Sequence, residues 1–525
     1  MSDTESGVQE APDAPEAAPE VGRVRAASGR AVVAGLVSVV AAAGVGELIA
    51  ALFASEASPF GAIGAVAVDL APAWAKDLAI ALFYTNDKNA LLVGIAIVLL
   101  LVGAVAGLVE RRIPFLGRSI VALLGVAGIA AAATRVNAPE LFWAPSLVAG
   151  ALAFVTLGLL LPPHPAGETG DPLSRRGFLI GSAAAAVVGA IGTAVATGIR
   201  AGGQAVKTLR DAVTLPSAQA TATIPDAAEL DIDGLAKAVT PNADFYRIDT
   251  AIVVPEVDPA AWSLRIHGLV ENEITITWDE LLALPLSESA VTLSCVSNQV
   301  GGSLVGNAVW LGHPIRELLA RAVPLPEADM VLSRSHDGFT AGTPLEALTD
   351  DRDALLAVGM NGEPLPLEHG FPVRMVVPGL YGYVSATKWV VELEVTRFDS
   401  ARAYWTDRGW SERGPIKLQS RIDVPRERDV AAGEQVIAGI AWQPHTGVAG
   451  VEVQIDDGPW HDATLATAIS DDTWVQWSLP WTAEPGNHTI RCRATSAEGE
   501  RQTDAQAPPA PNGATGWHSI VVQAS

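Results

Sequence analysis

Cysteine is nearly missing from this chain. Its 525 residues include two, Cys295 and Cys492, which excludes a disulfide scaffold and requires the water-facing part to be stable without staples. The roughly 300 residues that follow the apolar region are ample for that. Basic residues are scarce as well. The 34 Lys and Arg stand against 58 Asp and Glu, a formal charge of −24, and no basic stripe is left to neutralise a nucleic acid backbone. Histidine numbers nine. None falls inside an expected membrane span, His164 standing at a span's end, and Cys-x-x-Cys-His does not occur, so the sequence offers no haem attachment in this chain.

What is present is unevenly placed. Mean hydropathy is positive despite the acidic charge, because Ala, Val, Leu and Gly crowd the first two hundred positions while charge, Trp and Pro concentrate after Ile224. The first twenty residues carry acids, Pro and Ala without a Lys or Arg, and residues 1–27 are expected to be a disordered tail. Residues 28–200 are expected to cross a membrane about five times. The apolar runs are Ala31 to Phe53, Ala90 to Val109, Ser119 to Ala133, Leu141 to Leu161 and Phe178 to Ile199, most of them near the ~20 residues a bilayer core demands. The stretch Phe60 to Phe83 is broken by Asp69, Pro72, Lys76 and Asp77; it reads as an interfacial or re-entrant segment, with a sixth span as the alternative. Arg23, Arg25 and Arg30, then Arg111, Arg112 and Arg118, then Arg175 and Arg176 mark the cytoplasmic side. An odd number of spans then delivers everything after Gly202 to the extracytoplasmic side.

Residues 201–243, polar and Ala-rich with Pro216, Pro225 and Pro241, read as a linker. From 244 to 417 the pattern is mixed α+β. Runs at Ala251 (AIVV), Trp262 (WSLRIHG) and Ile274 (ITITW) predict strands, and Trp278 to Leu284 and Ile315 to Ala322 predict short helices. From 418 to 525 helical signals vanish. EQVIAGIAW, VAGVEVQI, WVQWSL, NHTIRCRAT and WHSIVVQ predict a β-sandwich, with Asp456-Asp457-Gly458 as a hairpin turn. Cys492 alternates with Ile490 and reads as an inert core thiol.

The chemistry lies in two segments. MNGEPLPLEHGFPVRMVVPGLYGYVSATKW, from Met360 to Trp389, strings His369, Arg374 and Lys388 along Gly- and Pro-broken backbone, where side chains and N–H groups can converge on a phosphate. TLSCVSNQVGGSLVGNAVWLG presents Cys295 after an apolar run and before a loop. Together they resemble the sulfite oxidase family of molybdopterin enzymes, over roughly Phe245 to the C-terminus. The resemblance implies the molybdenum-molybdopterin cofactor, with Cys295 as metal ligand and His369, Arg374, Thr387 and Lys388 holding the cofactor. FYRIDT lies where the family has Phe-x-Arg-Asn-His. Phe245 and Arg247 match, and Ile248 and Asp249 replace the Asn-His pair, so Phe245, Arg247 and Asp249 join the candidate set. Ser297, Asn298 and Ser333 fall where the family makes further cofactor contacts or where turns need polar residues. Arg247 either caps a strand or draws an anion toward the metal as a catalytic cation. His336 and Asp337 read as a solvated loop or a pocket wall, and Trp405, Trp410 and Trp442 as core or an aromatic wall. In YWTDRGWSERGP, Trp410 stands where animal sulfite oxidases place a tyrosine.

The resemblance further implies an immunoglobulin-like C-terminal domain that serves dimerisation. Ser174-Arg175-Arg176-Gly177-Phe178-Leu179 resembles a twin-arginine translocation signal, though the two arginines also serve as ordinary cytoplasmic-side residues. The expected function is oxygen-atom transfer on a small oxyanion by a membrane-anchored enzyme that passes electrons to a separate carrier such as a cytochrome. The alternatives are a sulfoxide reductase on the same cofactor, or a metal-free membrane interaction module. Few ionisable residues lie in the spans, which argues against a transporter.

Overall fold

The computed structural model describes residues 20–53, 57–72, 75, 82–83, 87–135, 141–163, 173–202, 204–426 and 428–525. Residues 1–19 of the expected tail, His164, and Lys76 and Asp77 of the broken apolar stretch lie outside them. The rest of the tail differs from the expectation, because a helix already runs from Glu20 through Ala- and Arg-rich sequence that favours it.

Two compact units are present, a helical one within the first 199 residues and a second holding Arg200 to Ser525. The helices are α1 (Glu20–Phe53), α2 (Pro59–Leu70), α3 (Asp87–Arg112), α4 (Leu116–Ala133), α5 (Ala144–Leu160) and α6 (Arg175–Gly202). Among the described residues four are long and apolar enough to cross a membrane: Ser28–Phe53, Lys88–Arg112, Leu116–Ala133 and Arg175–Ile199. The fourth expected span, Leu141 to Leu161, yields the 17-residue α5. Its start is set by Pro145 in the first turn, and Pro162 follows its end. α2 has 12 residues and stops at Leu70, two positions before Pro72.

Small residues let these helices approach closely. A Cβ on Gly35 would sit 1.8 Å from the Gly103 carbonyl oxygen, so α1 and α3 touch backbone to backbone. Glu110 and Arg118 form a buried pair at 2.7 Å, and Glu110 also accepts the Phe115 and Arg118 N–H groups that open α4.

The second unit begins with α7 (Gln204–Ala212). The segment 201–243, expected to be a spacer, instead lies along the body of this unit. Gln219 donates its N–H to Leu286 at 2.7 Å, Leu230 donates to the Gln476 side chain at 2.7 Å, and Ala228, Leu235 and Ala238 are buried. Burial of those apolar side chains and use of those N–H groups hold it down.

The strands up to Thr396 are β1 (Ser263–Gly268), β2 (Ile274–Thr277), β3 (Ser287–Ser294), β4 (Val305–Pro314), β5 (Met330–Ser335), β6 (Thr340–Pro344), β7 (Leu355–Met360), β8 (Glu363–Pro364), β9 (Arg374–Val376) and β10 (Val390–Thr396). They form two sheets, β2-β1-β10-β5-β6 and β3-β4-β7-β8, with β9 paired to β7. The predicted helices are found as α8 (Trp278–Ala283) and α9 (Ile315–Ala322). α8 opens with a capping box between Thr277 and Glu280. The strand expected at AIVV does not form. Pro255 follows it, lacks an N–H and restricts Val254, and the run contributes core side chains instead of a ladder.

The C-terminal part is all β among the described residues: β11 (Gln419–Val424), β12 (Asp429–Val430), β13 (Gly433–Trp442), β14 (Val448–Ile455), β15 (Trp460–Asp462), β16 (Thr464–Leu465), β17 (Val475–Ala483), β18 (Gly486–Ser496) and β19 (His518–Ala524). The sheets β11-β13-β17-β16 and β12-β19-β18-β14-β15 share one core of Ile437, Val453, Trp477, Ile490 and Cys492. Asp456, at φ 52°, turns β14 into β15. Ile440, Trp442 and Trp474 join the core of the preceding sheets, so packing is continuous between the two parts.

Candidate functional site

β3 ends at Ser294 and delivers Cys295 to the start of a loop, held by its N–H to the Leu304 carbonyl at 3.0 Å. Asn298 closes the same loop: its N–H reaches the Cys295 carbonyl at 3.0 Å and its Oδ1 accepts the Leu304 N–H at 2.9 Å. The thiol is buried and has no disulfide partner. Burial raises its pKa, while the Ser297 N–H and hydroxyl and then Lys388 act to lower it. Gly301 in this loop has φ 75°, and a Cβ there would lie 2.2 Å from His518, so only glycine fits.

β9 begins with Arg374, buried and stacked over Trp310 with the guanidinium carbon 4.9 Å from the ring centroid. Its bonds go to the carbonyls of His369, at 3.1 Å, and Met375, at 3.3 Å. Among the described residues no carboxylate pairs with it. Burial pulls its pKa down to about 10. His369 is 2% exposed, and its Nδ1 has no hydrogen-bond partner. Burial first, then Lys388 and Arg374, depress its pKa to about 3, opposed by a hydrogen bond to the Asn242 backbone; Arg247 adds a further push downward. Gly370, at φ 112°, separates these residues because a Cβ would sit 3.0 Å from the Arg374 and 3.1 Å from the Lys388 Cβ.

Lys388 donates to Asp249 Oδ2 at 2.9 Å and to the Glu368 carbonyl at 2.8 Å. Burial lowers its pKa to about 8, with Asp249 opposing. The Asp249 carboxylate also takes Arg247 Nε at 3.0 Å. Three cations and one carboxylate therefore meet here, and all three cations act on His369. Phe245 stacks on Tyr246 and meets the Trp310 and His369 rings edge-on, at centroid separations of 5.7 and 5.5 Å.

The structure thus brings together Cys295, Ser297, Phe245, Arg247, Asp249, His369, Arg374 and Lys388. Asn298, Ser333 and Thr387 hold the frame. Ser333 and Thr387 are fully buried and hydrogen-bond each other at 2.7 Å, tying β5 to the segment that carries Lys388. Trp442 is core. Asp337 accepts the Phe339 N–H and shapes its own loop, while Trp410 packs on Tyr383 and Trp405.

Two tyrosines were missed by the sequence reading. The Tyr246 and Tyr381 phenols are pushed up mainly by burial and also by the Cys295 thiolate, Tyr381 to about 12. The sequence has only five tyrosines, and position beside Phe245 or within GLYGY was the one signal available.

A buried guanidinium without a carboxylate, an unpartnered buried imidazole nitrogen and a free buried thiol form a donor set suited to a metal-bearing anionic cofactor. The family described as "Oxidoreductase molybdopterin binding domain" matches residues 251–405. Human mitochondrial sulfite oxidase is 30% identical over 320 residues, covering 51% of this chain and 58% of its own length. The chain thus spans less than two thirds of the mitochondrial sulfite oxidases. The Bacillus subtilis protein called uncharacterized oxidoreductase YuiH is 34% identical over 180 residues, covering 34% of this chain and 87% of that protein. Among solved structures, the sulfane dehydrogenase SoxCD from Paracoccus pantotrophus matches at TM-score 0.48 and 23% identity over 54% of this chain and 81% of that one. The matched segment contains Cys295, His369, Arg374 and Lys388, and the chain belongs to the sulfite oxidase family of molybdopterin-dependent oxidoreductases.

Proposed function

We propose that this protein is a membrane-anchored oxidoreductase that transfers an oxygen atom between water and a small substrate, in the manner of a sulfite oxidase. The observation that carries the reading is the meeting of Arg374, Lys388 and Arg247 around His369, whose Nδ1 has no partner, beside the Cys295 thiol. After Asp249 cancels one charge, two positive charges remain, which suits a phosphate. Arg374 and Lys388 would hold that phosphate, His369 would present Nδ1 to the pterin part, and Cys295 would ligate molybdenum. When bound, the molybdenum cofactor supplies two-electron oxygen-atom chemistry.

The protein's own residues do the rest. Ser297 acts against the burial that raises the Cys295 pKa, and so works toward the thiolate. Arg247, with its side chain 38% exposed, is the most exposed of the three cations and, though paired with Asp249, would meet an incoming oxyanion and stabilise its charge shift. Electrons would leave singly to a separate carrier such as a cytochrome. The four long apolar helices support anchoring; with the shorter apolar α5 as a fifth crossing, the arrangement is multi-pass with the catalytic part outside the cytoplasm. Arg175 and Arg176 at the start of α6 support a twin-arginine signal. The two C-terminal sheets with one core support an immunoglobulin-like dimerisation domain.

A second reading, a sulfoxide reductase, is favoured by Asp249. Its carboxylate is shared by Arg247 and Lys388 and weakens the attraction for a dianion. The test is molybdenum and pterin per chain in membranes from cells that make the cofactor, followed by steady-state rates with sulfite and with methionine sulfoxide. Near-stoichiometric metal with sulfite turnover supports the first reading, and turnover of the sulfoxide alone supports the second. A metal-free, pterin-free protein would leave only a membrane interaction module.

A further inference from the structure

The segment between the last apolar helix and the first sheet is fastened to the loop that precedes His369. Arg210, in α7, points its guanidinium at that loop. It donates to the carbonyls of Leu365 at 2.9 Å and Pro364 at 2.6 Å, and to Glu363 Oε2 at 2.9 Å. The other Glu363 oxygen takes the Asn242 amide, which also reaches the Met360 carbonyl at 3.3 Å. Asn361 locks back onto the segment, donating to the Thr240 carbonyl at 2.9 Å and to Asn242 Oδ1 at 2.7 Å, while its Oδ1 accepts the Val309 N–H at 2.9 Å. Asn361 holds φ 52°, a conformation Asn tolerates better than most residues. The clasp ends beside the site itself, because Leu365, which accepts from Arg210, lies four residues before His369, whose buried Nδ1 has no partner.

We infer that Arg210, Glu363 and Asn242 are positioning residues of the cofactor site: they lock loop 360–369 and so hold His369, at its end, in place for the group bound there. The inference rests on the cofactor reading above and deepens it. Two features separate this arrangement from an ordinary surface contact. The Arg210 side chain is 15% exposed and makes three bonds to consecutive loop residues, and a forked guanidinium spreads such bonds where an ammonium cannot. Arg210 first and Asn242 after it also hold the Glu363 carboxyl below the usual carboxylate range.

The test uses full-length protein in detergent: wild type, Arg210→Ala, Arg210→Lys and Glu363→Gln. Pterin release is followed by fluorescence after acid oxidation. Release at least tenfold faster in Arg210→Ala and Glu363→Gln, with partial recovery in Arg210→Lys, supports the clasp. Release at the wild-type rate overturns it. Hydrogen exchange on cofactor-free protein gives a second readout. Exchange tenfold faster confined to residues 360–369 supports positioning, whereas an unchanged loop, or acceleration spread over the whole unit, overturns it. Should wild type carry no pterin, the functional reading fails while the exchange result still decides the clasp. Glu363→Gln is isosteric at a half-exposed position, so it keeps the test open if Arg210→Ala does not fold.

Discussion

The catalytic sheets and the C-terminal sheets each bury one cysteine, and the settings of the two thiols differ in kind. Cys492 lies mid-strand in β18, fully buried among Ile437, Trp477 and Ile490, with Ser420 Oγ 3.3 Å from its sulfur. Burial pushes its pKa up to about 12, Ser420 acts to lower it and Asp423 adds to the rise. Cys295 is buried too, but it sits where a strand gives way to a loop. Ser297 and Lys388 favour its thiolate, with Arg374 and His369 nearby in the same site. One residue type is thus a small hydrophobe in one region and a thiol set among donors and charge in the other. Strand interiors offer apolar neighbours on both sides, and strand ends admit donors and charge.

Substitution should widen that contrast. Cys295→Ser is expected to reduce bound molybdenum to below about a tenth of wild type, a loss of more than about 1.4 kcal/mol in metal affinity. Cys492→Ser should leave it unchanged. Elemental analysis of both variants decides the matter, and equal metal content would collapse the distinction.

Arg374 and Trp477 extend the comparison to stability. Arg374→Met removes a buried charge without a carboxylate partner, so the cofactor-free protein should gain about 1–3 kcal/mol while losing cofactor binding. Trp477→Ala, in the C-terminal core, should cost about 3–5 kcal/mol. Denaturant unfolding of the cofactor-free proteins reads both. A destabilised Arg374→Met would show that the guanidinium serves the fold and not a ligand.

Acid sharpens the comparison in a different way. His369 in the site and His518 in β19 both have depressed folded pKa values, about 3 and about 4, because burial and then neighbouring cations disfavour the charged ring. A ring neutral in the fold and protonated when unfolded makes the unfolded state bind more protons below about pH 6.5. Stability contributed by each ring is therefore full above that pH and declines as pH falls toward the folded value, by up to about 1.4 kcal/mol per pH unit. His518→Gln should flatten the acid side of the stability curve in cofactor-free protein. An unaltered slope would mean that the ring is not held neutral. The smallest expected effect is Cys492→Ala, about 1–2 kcal/mol by removal of one packed sulfur, with no change in cofactor content.

Much of this arrangement was legible in the sequence where local pattern and tertiary role agree. Alternation in VAGVEVQI and NHTIRCRAT became β14 and β18, and Ile315 to Ala322 became α9 with the same ends. Cys295, His369, Arg374 and Lys388 were legible because Gly and Pro mark the turns that present them. The segment 201–243 was not, since Pro- and Ala-rich sequence describes a spacer unless one knows where its N–H groups are bonded. AIVV misled because its β-branched residues found core positions without strand partners. The mutual hydrogen bond of Ser333 and Thr387 was not legible, because a hydroxyl's partner is a tertiary fact. Tyr246 and Tyr381 escaped because a phenol facing a thiol looks, in sequence, like any core aromatic.

The contact of His518 with Gly301 bears on the order in which this protein matures. The His518 ring lies against Gly301, and its Nδ1 accepts the Ile422 N–H at 2.9 Å, while Arg421 donates to the Gly302 carbonyl at 2.9 Å. The loop that follows Cys295 is therefore shaped by residues synthesised long after it. During translation the thiol is made early and its surroundings late. Until β19 has docked, the loop lacks the His518 ring that lies against Gly301 and the support that ring gives to β11.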